Sequence, residues 1–132
     1  MLKWRIGDVK ISQIVELTTA SLGPYLLPQA ISEVLLPVPW LAPFLDEAGK
    51  IILSMHSLVV ETQGRTVMID TCIGNDKPRS YPRWNLMQSD FLERLGSAGF
   101  VPEAVDTVLC THMHVDHVGW NTRLVDGVWQ PT

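Results

Sequence analysis

The sequence has almost no cysteine: Cys72 and Cys110 are the only two in 132 residues. A disulfide framework is therefore excluded as the main source of stability. Two buried thiols in a reducing cytoplasm are expected, with a disulfide or a metal-bound thiolate as the lesser alternatives. Long apolar runs are missing too. No stretch approaches the roughly 18 residues that span a bilayer, and Met1-Leu2-Lys3-Trp4-Arg5-Ile6 leads into no signal-peptide core. Basic charge is scarce: 10 Lys and Arg stand against 14 Asp and Glu, a formal net charge of −4 without any basic run. Nucleic-acid binding needs clustered cations, so that partner is disfavoured. The expectation is a cytoplasmic protein that meets a small-molecule substrate and neither nucleic acid nor membrane.

What is present is a globular balance, 46% hydrophobic and 18% charged. The length suits one modest domain, residues 1–132, and not two. Five tryptophans are generous for this length; they serve either the core or a pocket or interface.

Residues 9–17 are rich in β-branched side chains and read as a first strand. An irregular segment over 21–45 follows, with Pro24, Pro28, Pro37, Pro39 and Pro43 and one short helix over 30–36. Its apolar residues make it either a lid, pocket wall or interface, or an irregular cover over the core. Residues 50–62 and 65–70 read as a hairpin turning at Gln63-Gly64. Val67-Met68-Ile69 is apolar enough to be buried on both faces. Residues 86–95 have helical periodicity, closed by Gly96 and Gly99. A buried strand over 105–110 and a hairpin around Asp126-Gly127 complete the chain. This order predicts an α/β (α+β) fold, a mixed sheet with a helix on one face.

The chemistry is concentrated in His112-Met113-His114-Val115-Asp116-His117, an HxHxDH run just past a strand. In extended backbone alternate residues point the same way, so His112 and His114 can meet one metal ion. Asp116 and His117 fall where the chain turns and can reach a second position. Imidazole with carboxylate suits Zn, and also Fe or Mn. Two ions about 3.5–4 Å apart can share a bridging hydroxide that is nucleophilic at neutral pH. His56, the remaining histidine, reads as a core or edge residue of its strand.

The HxHxDH run resembles the signature of the metallo-β-lactamase superfamily. The run from Thr66 to Asn75, with Asp70 at a strand end, is similar to that family's first conserved block. The stretch from Val108 to Asn121 is similar to its members that hydrolyse lactones, esters and organophosphate triesters. The resemblance implies half of an αββα sandwich and a dinuclear zinc hydrolase attacking with a metal-bridging hydroxide. His112 and His114 would bind the first metal, and Asp116 and His117 the second. Asp116 would also be catalytic, orienting the nucleophile, while Asp70 would hydrogen-bond behind the ligands. The second half of the family fold would add a third histidine for the first ion, a bridging aspartate, and a last histidine for the second. No residue after His117 is assigned those roles. Two further readings stay open. One is a truncated, non-catalytic half-domain that dimerises through its exposed sheet and holds metal weakly. The other is an iron-dependent oxidoreductase or dioxygenase on the same fold.

Overall fold

The computed structural model describes all 132 residues. Seven strands and three α-helices form, and the five strands β1 (Lys3–Ile6), β2 (Val9–Thr19), β3 (Leu53–Thr62), β4 (Arg65–Ile69) and β5 (Thr107–Leu109) make one sheet in sequence order. β1–β2 and β3–β4 pair antiparallel, and β4–β5 parallel. The sheet is mixed, as expected. β1 was not foreseen; Gly7, with φ +60°, turns the chain back from it into β2. Gln63 and Gly64 both have positive φ, 49° and 74°, which matches the twist of a tight hairpin between β3 and β4. The expected 50–62 strand begins only at Leu53, because Ile51 pairs instead with Leu45 in an isolated bridge.

The chain divides into two units: Met1–Glu16 with Met55–Thr132, and Leu17–Ser54. In the first, strand alternation sends Ser12, Ile14 and Glu16 of β2 and Met55, Ser57 and Val59 of β3 to the buried face. Helix α3 (Phe91–Ser97) supplies Phe91 and Leu95 to a core with Ile14, Val59, Met68, Cys72 and Trp120. Phe91 and Trp120 stack with centroids 5.8 Å apart. The expected helix over 86–95 is displaced toward the C-terminus: Leu86 has φ +51° and cannot lie in a right-handed helix. Gly99, at φ +94°, lies just past its end.

Two expectations of burial fail. Met68 is buried, but Val67 and Ile69, on the other face of β4, are only half-buried. β5 is an edge strand, shorter than expected, and Val108 and Leu109 stay 44% and 53% exposed. Apolar sequence sets the capacity to be covered; a covering layer decides whether it is. The C-terminal hairpin, β6 (Thr122–Val125) and β7 (Val128–Pro131), turns on Asp126-Gly127 as foreseen. Lys77 reaches this hairpin, donating to the Thr122 carbonyl at 2.7 Å with its ammonium 4.0 Å above the Trp129 ring.

The second unit corrects the irregular reading of 21–45. Besides α2 (Ser32–Leu35), where a short helix was expected, it holds α1 (Gly23–Leu26) and a 3-10 helix over Pro39–Phe44. Pro24 and Pro39 sit in first turns, where no N–H is needed, so proline starts these helices instead of preventing them. Asp46 Oδ1 accepts the amides of Ala48 and Lys50 at 3.0 and 2.8 Å, and the Ser32 hydroxyl donates to the Ala48 carbonyl. No helix is long and apolar enough to cross a membrane.

Candidate metal centre

β4 and β5 run parallel, so their C-terminal ends open on the same side of the sheet, and the two loops that follow lie together. The loop after β4 begins with Asp70 and Cys72, both left-handed at φ +57° and +54°. For Cys72 this costs about 1–2 kcal/mol, and for Asp70 less, since aspartate tolerates the left-handed region. Strain of this kind at a loop with polar side chains marks a place where geometry is being imposed. Backbone bonds stitch this loop to the one after β5. The Thr71 amide donates to the His117 carbonyl, Gly119 to Cys72, and Trp120 to Thr71, at 2.7–2.8 Å. The loops touch at Gly119, where an added Cβ would fall 1.9 Å from the Ile73 carbonyl.

The chain bends at His112 and His114 where extended backbone was expected, and it turns over 115–117, as expected at Asp116 and His117: the His117 amide donates to the His114 carbonyl at 3.0 Å. The two histidines still meet. His112 Nε2 lies 3.0 Å from His114 Nδ1, close to the roughly 3.3 Å separating two nitrogens on a tetrahedral zinc. Asp116 Oδ2 is 3.5 Å from His117 Nε2. The pairs adjoin, with the His112 and His117 rings 3.9 Å apart between centroids. No group of three His, Cys, Asp or Glu side chains gathers so that it could hold one ion. The donors therefore suit a metal in kind and come two at a time.

Asp70 organises both pairs. Its Oδ1 accepts the Thr111 amide at 2.7 Å, and its Oδ2 accepts the Thr111 hydroxyl at 2.8 Å. Oδ2 also lies 2.8 Å from His117 Nδ1. A proton on His117 Nδ1 leaves the Nε2 lone pair on the Asp116 side. Thr111 has a single hydroxyl proton and donates it in the hydrogen bond to Asp70. The contact of Thr111 Oγ with His112 Nδ1 at 3.0 Å is then donated by His112, which frees Nε2 toward His114. One carboxylate thus orients a histidine of each pair. Burial opposes ionisation of Asp70, but the bonds from His117 and Thr111 outweigh it and hold its carboxyl below the ordinary value.

Thr111, Thr71, Asn121 and Glu16 carry no motif that marks them in the sequence, yet they frame the site. Thr71 donates to Asn121 Oδ1 at 2.8 Å. Glu16 is only 4% exposed. It accepts the Ile73 amide at 2.7 Å, the Trp120 indole at 2.7 Å, the Ser89 hydroxyl at 3.0 Å and the Gly74 amide at 3.3 Å. A signal for Glu16 was in the sequence: if Ile14 faces the core, strand alternation puts Glu16 there too.

Both thiols are free. Cys72 is buried as expected, and burial pushes its thiol far up, which disfavours a metal-binding thiolate. Cys110 is only half-buried, against the Asn121 amide at 3.6 Å. His56 is half-buried in β3.

Among solved structures the chain is similar to hydrolase AbOPH of the beta-lactamase superfamily, at 24% identity and TM-score 0.61, over 88% of this chain and 37% of that one. It is similar to a probable metal-dependent hydrolase from Staphylococcus aureus at 28% identity and TM-score 0.61, over 87% and 41%. It is also similar to AidC, a dizinc quorum-quenching lactonase solved with a product, at 19% identity and TM-score 0.61, over 89% and 37%. The chain thus spans about two fifths of the length of these structures. No curated protein matches it. The sequence profile of the metallo-beta-lactamase superfamily matches residues 53–131, which take in β3, β4, Asp70 and the whole HxHxDH run. On that match, and on the mixed sheet that carries it, the chain belongs to the metallo-beta-lactamase superfamily.

Proposed function

We propose that the chain carries the N-terminal part of a metal-dependent hydrolase site acting on an ester, a lactone or a phosphotriester. The observation that carries this reading is Asp70, whose carboxylate orients one histidine of each donor pair. His112 and His114 would hold one ion, and Asp116 and His117 the other; zinc is the metal the donor set favours. When bound, zinc supplies Lewis acidity and brings the pKa of water toward neutrality. The chain's own part is to hold imidazole lone pairs in place and, through Asp116, to orient the attacking water. A dizinc lactonase is among the proteins that share this fold.

The first test is the metal content of the purified chain. Zinc is expected to bind, and His114→Ala to lower its affinity at least about tenfold in competitive titration, since loss of even an outer partner costs about 10–100-fold. Iron in place of zinc would favour the oxidoreductase reading. Turnover of an aryl ester, a lactone and a phosphotriester by the zinc-loaded chain then tests the reaction class.

A second reading concerns assembly. On the sheet face opposite α3, the register places Leu58, Val60, Val67, Ile69 and Leu109 side by side, and none is fully buried. We propose that a second copy of the chain covers this face. A dimeric mass in sedimentation is expected, with Leu109→Lys shifting it to monomer. A monomeric mass for the unaltered chain would sink this reading.

A further inference from the structure

We infer that Glu16 is a positioning residue for the metal centre, acting through the two loops that carry it; the inference rests on the metal reading above. Glu16 touches none of the four donors. It sits on the inner face of β2, in phase with Ser12 and Ile14, where the core calls for an apolar side chain. A carboxylate taken from water to such a place is costly unless its oxygens are fully met by donors. Here they are met by donors from three segments. Ile73 and Gly74 belong to the loop after β4, Ser89 precedes α3, and Trp120 belongs to the loop after β5.

The consequence is a clamp. One Glu16 oxygen accepts from both loops at once, since Oε1 takes the Gly74 amide and the Trp120 indole. Those are the loops joined by the Thr71, Gly119 and Trp120 backbone bonds, and the Thr71 amide ends on the carbonyl of His117 itself. Glu16 therefore fixes the separation between the strand end that presents Asp70 and the turn that presents His117. Their 2.8 Å contact depends on that separation. A charged acceptor makes these bonds about twice as strong as neutral ones. Only an ionised carboxylate offers acceptors on both oxygens; an amide of the same shape must turn an N–H toward one of the donors.

Glu16→Gln is the test, because it keeps size and shape while it removes the charge and replaces one acceptor oxygen with an N–H donor. Cobalt(II) is the probe, titrated into the unaltered chain and the variant and followed by its visible absorption. The variant is expected to bind at least about tenfold more weakly with an altered band. The Trp120 indole N–H resonance should move, and the Gly119 and Trp120 amides should exchange faster. The Val59 and Met68 amides, in the core strands, should keep their protection, which separates positioning from global loosening. Equal cobalt affinity, an equal spectrum and equally protected loop amides would overturn the inference while leaving the metal reading intact. No cobalt binding by the unaltered chain would overturn both. If Glu16→Gln does not fold, Trp120→Phe decides instead. It removes one donor to Glu16 and keeps the aromatic stack on Phe91, and the same weakening is expected.

Discussion

Gly119→Ala is expected to destabilise the chain by about 3 kcal/mol or more and to abolish metal binding even where the chain still folds. The reason is contact between two backbones. The new Cβ would lie 1.9 Å from the carbonyl carbon and oxygen of Ile73 and 2.5 Å from the Gly74 nitrogen. No side chain there can swing aside; the obstacle is the loop itself. Relief requires the two loops to part, which breaks the Gly119–Cys72 and Trp120–Thr71 backbone bonds. His117 is tied to Thr71 through its carbonyl, so it would move with them. Chemical denaturation with cobalt titration of the same sample checks both halves. Near-native stability with retained binding would show that the loops are not as tightly apposed as described.

Asp70→Asn is expected to weaken zinc binding by about 10–100-fold and to change how stability responds to acid. The native carboxylate accepts two bonds from Thr111 and lies against His117 Nδ1. An amide in its place cannot meet all three. The pH effect follows from the lowered folded-state pKa. Burial pulls that pKa upward, but the His117 and Thr111 bonds carry it below the ordinary 3.8. A carboxyl whose pKa is lower folded than unfolded binds fewer protons in the native state. Its stabilising contribution is complete above the unfolded value of 3.8 and disappears as pH falls through the lower folded value. Denaturation midpoints of the native chain should therefore fall with pH in that acidic window, and those of Asp70→Asn should fall less. Parallel curves for the two proteins would contradict the assigned role of Asp70.

Much of the fold was legible because its signals are local. Gln63-Gly64 and Asp126-Gly127 declare their hairpins by residue type, and β2 by its β-branched residues. The HxHxDH run needed no structure to be noticed. What escaped was set by tertiary context. Val67-Met68-Ile69 and Val108-Leu109 read as buried because they are apolar, yet their exposure depends on what lies above the sheet. The prolines of 21–45 read as breaks, yet two of them occupy first turns of helices, a position that sequence alone does not reveal. At the site, residue types showed which side chains have metal chemistry. They did not show the strained loop, or that Thr111 passes the orienting influence of Asp70 on to His112.

The Glu16–Trp120 bond joins residues 104 positions apart, and the Asp70–Thr111 bond residues 41 apart. Closing such loops is slow, because the entropy is lost before the contact is gained. During synthesis Glu16 and Asp70 emerge long before Thr111, His117 and Trp120. The bonds that close the site are therefore the last whose partners become available. Until Trp120 arrives, the core holds a carboxylate with a donor still owed to it, so a chain released early would be left open at this point and exposed to proteolysis.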